Sequence, residues 1–137
     1  MKEGFVLDAS VAVSWALEDE DNSYSDRVLD MLCYSKAFVP SIWPLEVANA
    51  LLVAERRGRL ERIAVEEFLS LLMKLPIKVE GHSISEVWEG ILPLARERGL
   101  SVYDAAYLDL ALKMEIPLAT LDEALRRAAE DCGVKIL

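Results

Sequence analysis

The chain has 137 residues, the length of one domain, and its acidic side chains outnumber the basic ones 24 to 15, for a net charge of −9. That balance argues against a basic face clamping nucleic acid regardless of sequence, so any nucleic-acid chemistry must rely on bound cations, a local basic patch or a partner. Two cysteines, Cys33 and Cys132, are too few for a disulfide framework; with no signal-like start and no apolar run near the ~18 residues of a membrane span, a cytoplasmic protein with reduced thiols is expected.

Short β-like runs alternate with longer helical ones. Phe5-Val6-Leu7 is an apolar strand that ends at Asp8, and Ala9 to Leu17 reads as a helix followed by the polar loop Glu18 to Asn22. Ser23 to Tyr34 is a second helix, with Val28, Leu29, Leu32 and Cys33 at helical spacing. A second strand, Ala37-Phe38-Val39, closes at Pro40. Pro44 to Arg57 is a helix with proline in its first turn and Gly58 just past its end. Val65 to Leu75 is helical, and Ile77 to Val79 is a third strand. Ser85 to Glu97 is helical up to Gly99, and Tyr103 to Met114 is the next helix. Pro117 to Thr120 is a fourth strand, Asp122 to Asp131 a helix ended by Gly133, and Val134 to Leu137 a last strand. Strands joined through helices run parallel and are covered on both faces. The expected architecture is therefore one α/β domain over residues 1–137, a three-layer α/β/α arrangement with about five short strands.

Ligands of open parallel sheets sit beyond the carboxyl ends of the strands. Asp8 directly follows the first strand, and Asp122 follows the fourth by one residue. Glu46 lies in the first turn of the Pro44 helix, and Asp104 opens the Tyr103 helix. Carboxylates that converge repel one another unless a cation or a proton is shared. Hard oxygen donors in this number suit Mg²⁺ or Mn²⁺, ions that orient and acidify water and offset charge on a phosphodiester. Each acid also has a plainer explanation. Asp8 is placed to cap the helix after it, Glu46 suits a helix N-terminus, and Ser101-x-x-Asp104 and Thr120-x-x-Glu123 resemble capping boxes. Flanking residues favour the metal site: Asp8 and Asp104 sit inside apolar runs, where a carboxylate is costly to bury without compensation.

Ser10, Asn49 and Thr120 are candidates to support the pocket through hydrogen bonds. Asp109 is about 140° around its helix from Asp104 and is expected in solvent, as are Asp26 and Asp30. The acids 18–21 fall at the far end of the first helix, too remote for the pocket. Arginine groups at 56, 57, 59 and 62, at 96 and 98, and at 126 and 127 can each touch phosphate or simply favour a helix end. His82 is the sole histidine, and no Cys-x-x-Cys, P-loop or Gly-x-Gly-x-x-Gly is present. An Asp-based phosphotransfer domain would also put an aspartate at a strand end. Here, however, Ser10 stands where its second aspartate belongs, and no lysine ends a late strand.

In order along the chain, the strand ending in Asp8-Ala-Ser, then Glu46-Val-Ala-Asn-Ala, Tyr103-Asp104-Ala-Ala-Tyr and Ala119-Thr120-Leu-Asp122 resemble the PIN domain. More narrowly they resemble the VapC-type toxins of prokaryotic toxin–antitoxin pairs. The resemblance spans the whole chain. It implies a five-stranded parallel sheet between helices and Mg²⁺- or Mn²⁺-dependent endonucleolytic cleavage of RNA. Asp8, Glu46, Asp104 and Asp122 would hold the ion, directly or through water. It also implies a homodimer and a small antitoxin, and the net charge of −9 is compatible with a basic antitoxin segment entering the acidic pocket. The competing class is a PIN-like fold kept as a non-catalytic interaction module, against which the four intact acids speak. The apolar fraction of 53% exceeds the usual ~45–50% and points to surface covered by a partner. The helices Ser23–Tyr34 and Pro44–Arg57, with Trp43, Leu51 and Leu52, and the stretch Phe68 to Leu72 are expected to supply it.

Overall fold

The computed structural model describes residues 4–17 and 22–137; the acidic run 18–21 lies outside them. Four strands form one parallel sheet in the order β3-β2-β1-β4: β1 is Phe5–Leu7, β2 Ala37–Pro40, β3 Ile77–Glu80 and β4 Leu118–Ala119. The central β1 is buried at every position, as an apolar run covered on both faces should be. It pairs Val6 with Phe38 of β2 on one side and with Leu118 of β4 on the other. The edge strand β3 is half exposed and carries Lys78 and Glu80, paired at 3.5 Å; charge on an edge discourages further strand addition.

Helices α1 (Ala9–Ser14) and α2 (Ser23–Met31) connect β1 to β2, and α3 (Trp43–Arg56) and α4 (Arg62–Leu72) connect β2 to β3. Between β3 and β4 the chain winds through a π-helical segment, Glu86–Ile91, which continues as α5 (Leu92–Arg98), and then through α6 (Val102–Met114). Helix α7 (Glu123–Asp131) follows β4. Gly99 ends α5 with φ +66°, a left-handed conformation suited to glycine. Helix α6 packs on β1, β2 and β4 and also on α5, α7 and the π segment, while α1 packs on α2 and α3.

The sheet has four strands rather than five. The segment expected as a last strand over Val134–Leu137 contributes a single parallel bridge, Leu118 to Ile136. Its would-be partner β4 is only two residues long, because Pro117 carries no N–H and Thr120 turns away, its hydroxyl donating to Asp8 and accepting from the Asp122 N–H. Helix boundaries otherwise differ from expectation by a few residues, with α1 ending at Ser14.

Two placements correct the sequence reading. Asp109 is buried, not solvated, and its carboxylate pairs with Lys113 at 3.1 Å. Residues Ala105 to Ala111 are all buried, since α6 is covered nearly all round and leaves no polar face for Asp109 to occupy. Trp43 and Leu51, expected at a partner surface, fill the core, as does Leu72. Leu45, Leu52 and Leu71 are the exposed apolar residues of α3 and α4 nearest to them in sequence. Cys33 and Cys132 are free thiols, and no helix among the described residues is long and apolar enough to cross a membrane.

Candidate active site

The connections run from β1 outward to β2 and β3, then return to place β4 on the opposite side of β1. The direction of winding therefore switches between β1 and β4. At such a point the helices diverge and open a crevice beyond the strands' carboxyl ends. Asp8 leaves β1 there, and Thr120 and Asp122 leave β4. Glu46 arrives from the first turn of α3 and Asp104 from the first turn of α6.

Asp8 occupies the N-cap position of α1, yet its side chain makes no capping bond. Instead its Oδ2 accepts from the hydroxyls of Ser10 at 2.7 Å and Thr120 at 2.6 Å. Thr120 Oγ1 also accepts from the Asp122 N–H, Ser10 Oγ accepts from the Leu121 N–H, and the Tyr24 hydroxyl accepts from the Thr120 N–H. A small network thus ties the ends of β1 and β4 together around one carboxylate. Burial pushes the Asp8 carboxyl above its ordinary range; the two hydroxyls oppose that push, and the charge of Asp122 adds to it.

Glu46 is held from below. Its Oε1 accepts from the hydroxyl of Tyr107 at 2.6 Å, and Tyr107 itself is fully buried. Partial burial raises the Glu46 carboxyl, Tyr107 opposes the rise, and Asp8 and Asp104 add to it. Asp104 is raised by burial, then by Asp122 and Asp8, with Ser101 opposing. Ser101 caps α6 by accepting from the Asp104 N–H. Asp122 caps α7 by accepting from the Leu125 N–H on Oδ1. The second capping box therefore shifts by two residues, with Asp122 as cap and Thr120 engaged by Asp8.

The four acids thus lie within electrostatic reach of one another, and among the described residues no ion pair joins any of them to a basic side chain. They are not gathered into a ready ligand shell. Among the described residues no three His, Cys, Asp or Glu side chains stand close enough to hold an ion as they are. The donor set nevertheless fits a hard divalent cation. All donors are carboxylate oxygens, and among the described residues the hydrogen bonds to Glu46 and to Asp122 each fall on one oxygen, leaving the other for a cation or water. Their repulsion and desolvation are what such an ion offsets.

Of the supporting residues expected from sequence, Ser10 and Thr120 bond Asp8, whereas Asn49 is exposed on α3 with no side-chain hydrogen bond among the described residues. Sequence reasoning missed Tyr107 and Tyr24. Tyr107 lies three residues after Asp104, on the same helix face, which was the available signal. Several arginines are engaged locally: Arg62 with Glu66, Arg98 with Glu97, and Arg126 and Arg127 with Glu123.

A parallel sheet with acids at its switch point defines the class, and similarity to known proteins names the family. The PIN domain family model matches residues 5–131, and the chain belongs to that family. Ribonuclease VapC3 of Pyrobaculum aerophilum is 32% identical over 120 residues, covering 88% of this chain and 90% of that protein. The crystal structure of PAE2754 from Pyrobaculum aerophilum superposes with a TM-score of 0.73 at 25% identity, covering 98% of this chain and 83% of that one. A toxin–antitoxin complex from Klebsiella pneumoniae shares the fold, with a TM-score of 0.60 at 15% identity and 86% of each chain covered.

Proposed function

We propose that the chain is a divalent-metal-dependent endoribonuclease and the toxin half of a toxin–antitoxin pair. The observation that carries this reading is the meeting of Asp8, Glu46, Asp104 and Asp122 at the switch point with no basic partner among the described residues. Similarity to a ribonuclease VapC3 over most of the chain supports the reaction class, and the shared fold with a toxin–antitoxin complex supports the partner.

Bound among these acids, Mg²⁺ or Mn²⁺ would supply charge neutralisation at the scissile phosphodiester and acidify a water for attack. The chain's own part is positioning. Ser10 and Thr120 fix the rotation of the Asp8 carboxylate, and Tyr107 fixes Glu46. The Ser101 cap holds the first turn that carries Asp104, and Asp122 is itself fixed as the cap of α7. Negative charge at the mouth repels RNA until it is offset, so cation and substrate binding are coupled. A basic antitoxin segment would compete for the same charge.

Purified protein incubated with single-stranded RNA tests the reading. Cleavage is expected with Mg²⁺ or Mn²⁺, lost with chelator and restored by excess ion. An intact substrate under all these conditions would favour the non-catalytic interaction module.

A further inference from the structure

Two arginines, Arg27 and Arg126, stand beside the acid cluster without belonging to it. Arg126 lies one turn after Asp122 on α7 and lines a hollow of about 290 Å³ with Tyr24, Thr120 and Leu121. Glu123 borders the same hollow and pairs with Arg126 at 2.9 Å. A second hollow, of about 370 Å³, is lined by Tyr24, Arg27 and Asp30 of α2, so the two meet at Tyr24. Tyr24 and Arg27 are three residues apart on one face of that helix, and the Arg27 guanidinium stands 5.8 Å from the centre of the Tyr24 ring. Among the described residues no carboxylate pairs with Arg27. The Tyr24 hydroxyl accepts from the Thr120 N–H at 3.3 Å, and among the described residues no acceptor takes its own proton. That hydroxyl feels the charges of Arg27, Arg126 and Asp8 alike. The joined hollows therefore make a trough that starts at Thr120, whose own hydroxyl bonds Asp8, and leads away past both arginines.

We infer that this trough carries the RNA strand next to the scissile phosphodiester, with Tyr24 donating to a phosphate oxygen and Arg27 and Arg126 neutralising the backbone. The inference rests on the nuclease reading, which sets the cut at the acids. Charge selects the occupant. A chain of net charge −9 repels RNA, and a cation held among the acids offsets the phosphate it touches. The neighbouring phosphates then need fixed positive charge close by. Arg27 meets that need, because it is exposed and rests on an aromatic face instead of a carboxylate. The Arg126–Glu123 pair is a surface pair of little net worth in water, so a phosphate can take the place of Glu123 at small cost. An acidic peptide would also satisfy the arginines, but nothing would lead it past Thr120 toward four carboxylates. A strand with one phosphate at the acids must leave them along a wall, and this wall is basic and offers a free hydroxyl donor.

The test measures binding apart from cleavage. Fluorescence anisotropy of an end-labelled single-stranded RNA is followed with Mg²⁺ over a range of KCl, using the full chain carrying Asp8→Asn so that the RNA stays whole. In that background Arg27→Ala and Arg126→Ala should each weaken binding by about fivefold and lower the slope of log affinity against log salt by about 0.7, the signature of one lost phosphate contact on a single strand. Arg126→Lys should keep the slope, since lysine still meets phosphate as a point charge. Tyr24→Phe should weaken binding and leave the slope unchanged, because it removes a neutral donor. Arg57→Ala, at the far end of α3 about 16 Å along the helix from Glu46, removes the same charge and should change neither. With Asp8 restored, the effect of Arg27→Ala and Arg126→Ala on cleavage should fall on KM rather than kcat. Cleavage by the wild type with affinity and slope unaltered in Arg27→Ala and Arg126→Ala overturns the trough and leaves the nuclease standing. Equal losses in Arg57→Ala also overturn it, because the attraction would then belong to overall charge. Losses confined to Arg27→Ala and Arg126→Ala, in a chain whose wild type cuts no RNA, uphold the trough as an RNA-binding surface and sink the nuclease.

Discussion

Asp8 is the residue on which most of the site depends. It is buried, it accepts two hydroxyl donors, and its carboxyl is pushed upward chiefly by desolvation. In the metal-free protein its charge therefore opposes folding. Asp8→Asn is expected to abolish cleavage while leaving the metal-free chain as stable as wild type or more so, read by urea denaturation. Glu46 and Asp104 are raised as well. For raised carboxyls, stability is fully present below their ordinary values of 3.8 to 4.5 and is lost as pH rises through the raised values. Glu86, lowered to about 2, has the opposite sign and matters only as pH falls toward that value. With chelator present, the melting temperature should fall as pH rises above these ordinary values, and millimolar Mg²⁺ or Mn²⁺ should remove much of the fall. Tyr107→Phe deletes the hydroxyl under Glu46; a loss of about 1 kcal/mol and a drop in activity on the order of tenfold are expected, measured by denaturation and steady-state cleavage. The acids were legible in sequence because strand ends and apolar flanks single them out. Tyr107 was not, because a tyrosine inside Ala105-Ala106-Tyr107-Leu108 looks like core, and its hydroxyl's partner is 61 residues away in the chain.

At the scale of elements, caps and clips decide how firmly the acids are held. Asp122 both caps α7 and belongs to the acid cluster. Asparagine caps as well as aspartate, so Asp122→Asn should keep stability and lose activity, whereas Asp122→Ala should lose activity and about 1 kcal/mol. Comparing the two by thermal denaturation and cleavage separates the cap from the charge. Lys113 bridges Asp109 at 3.1 Å and Glu86 at 3.3 Å, joining α6 to the π segment. Lys113→Ala strands a buried carboxylate and should cost about 1–3 kcal/mol, while Glu86→Ala, at an exposed pair, should change the melting temperature far less. Most elements were legible from periodicity and from Pro44, Gly58, Gly99 and Gly133. Two were not: the last strand, which depends on how much of β4 remains to pair with, and the burial of Asp109, which depends on helices packing around α6 from both sides.

At the scale of the molecule, the switch between β1 and β4 brings together acids that are up to 114 positions apart, as Asp8 and Asp122 are. Strand order is a long-range property, so the sequence indicated that the acids lie at one sheet edge but not how tightly they gather. The apolar surplus divides in the same way: Trp43 and Leu51 entered the core, and Leu45 and Tyr103 did not. The central claim is that the four acids bind one cation site. Titration of the metal-free chain with Mn²⁺ by calorimetry, in wild type and in Asp8→Asn, Glu46→Gln, Asp104→Asn and Asp122→Asn, tests it most directly. Wild type should bind, and every variant should bind more weakly by about tenfold or more. Wild-type affinity in all four variants would contradict the account, because the ion would then be held elsewhere.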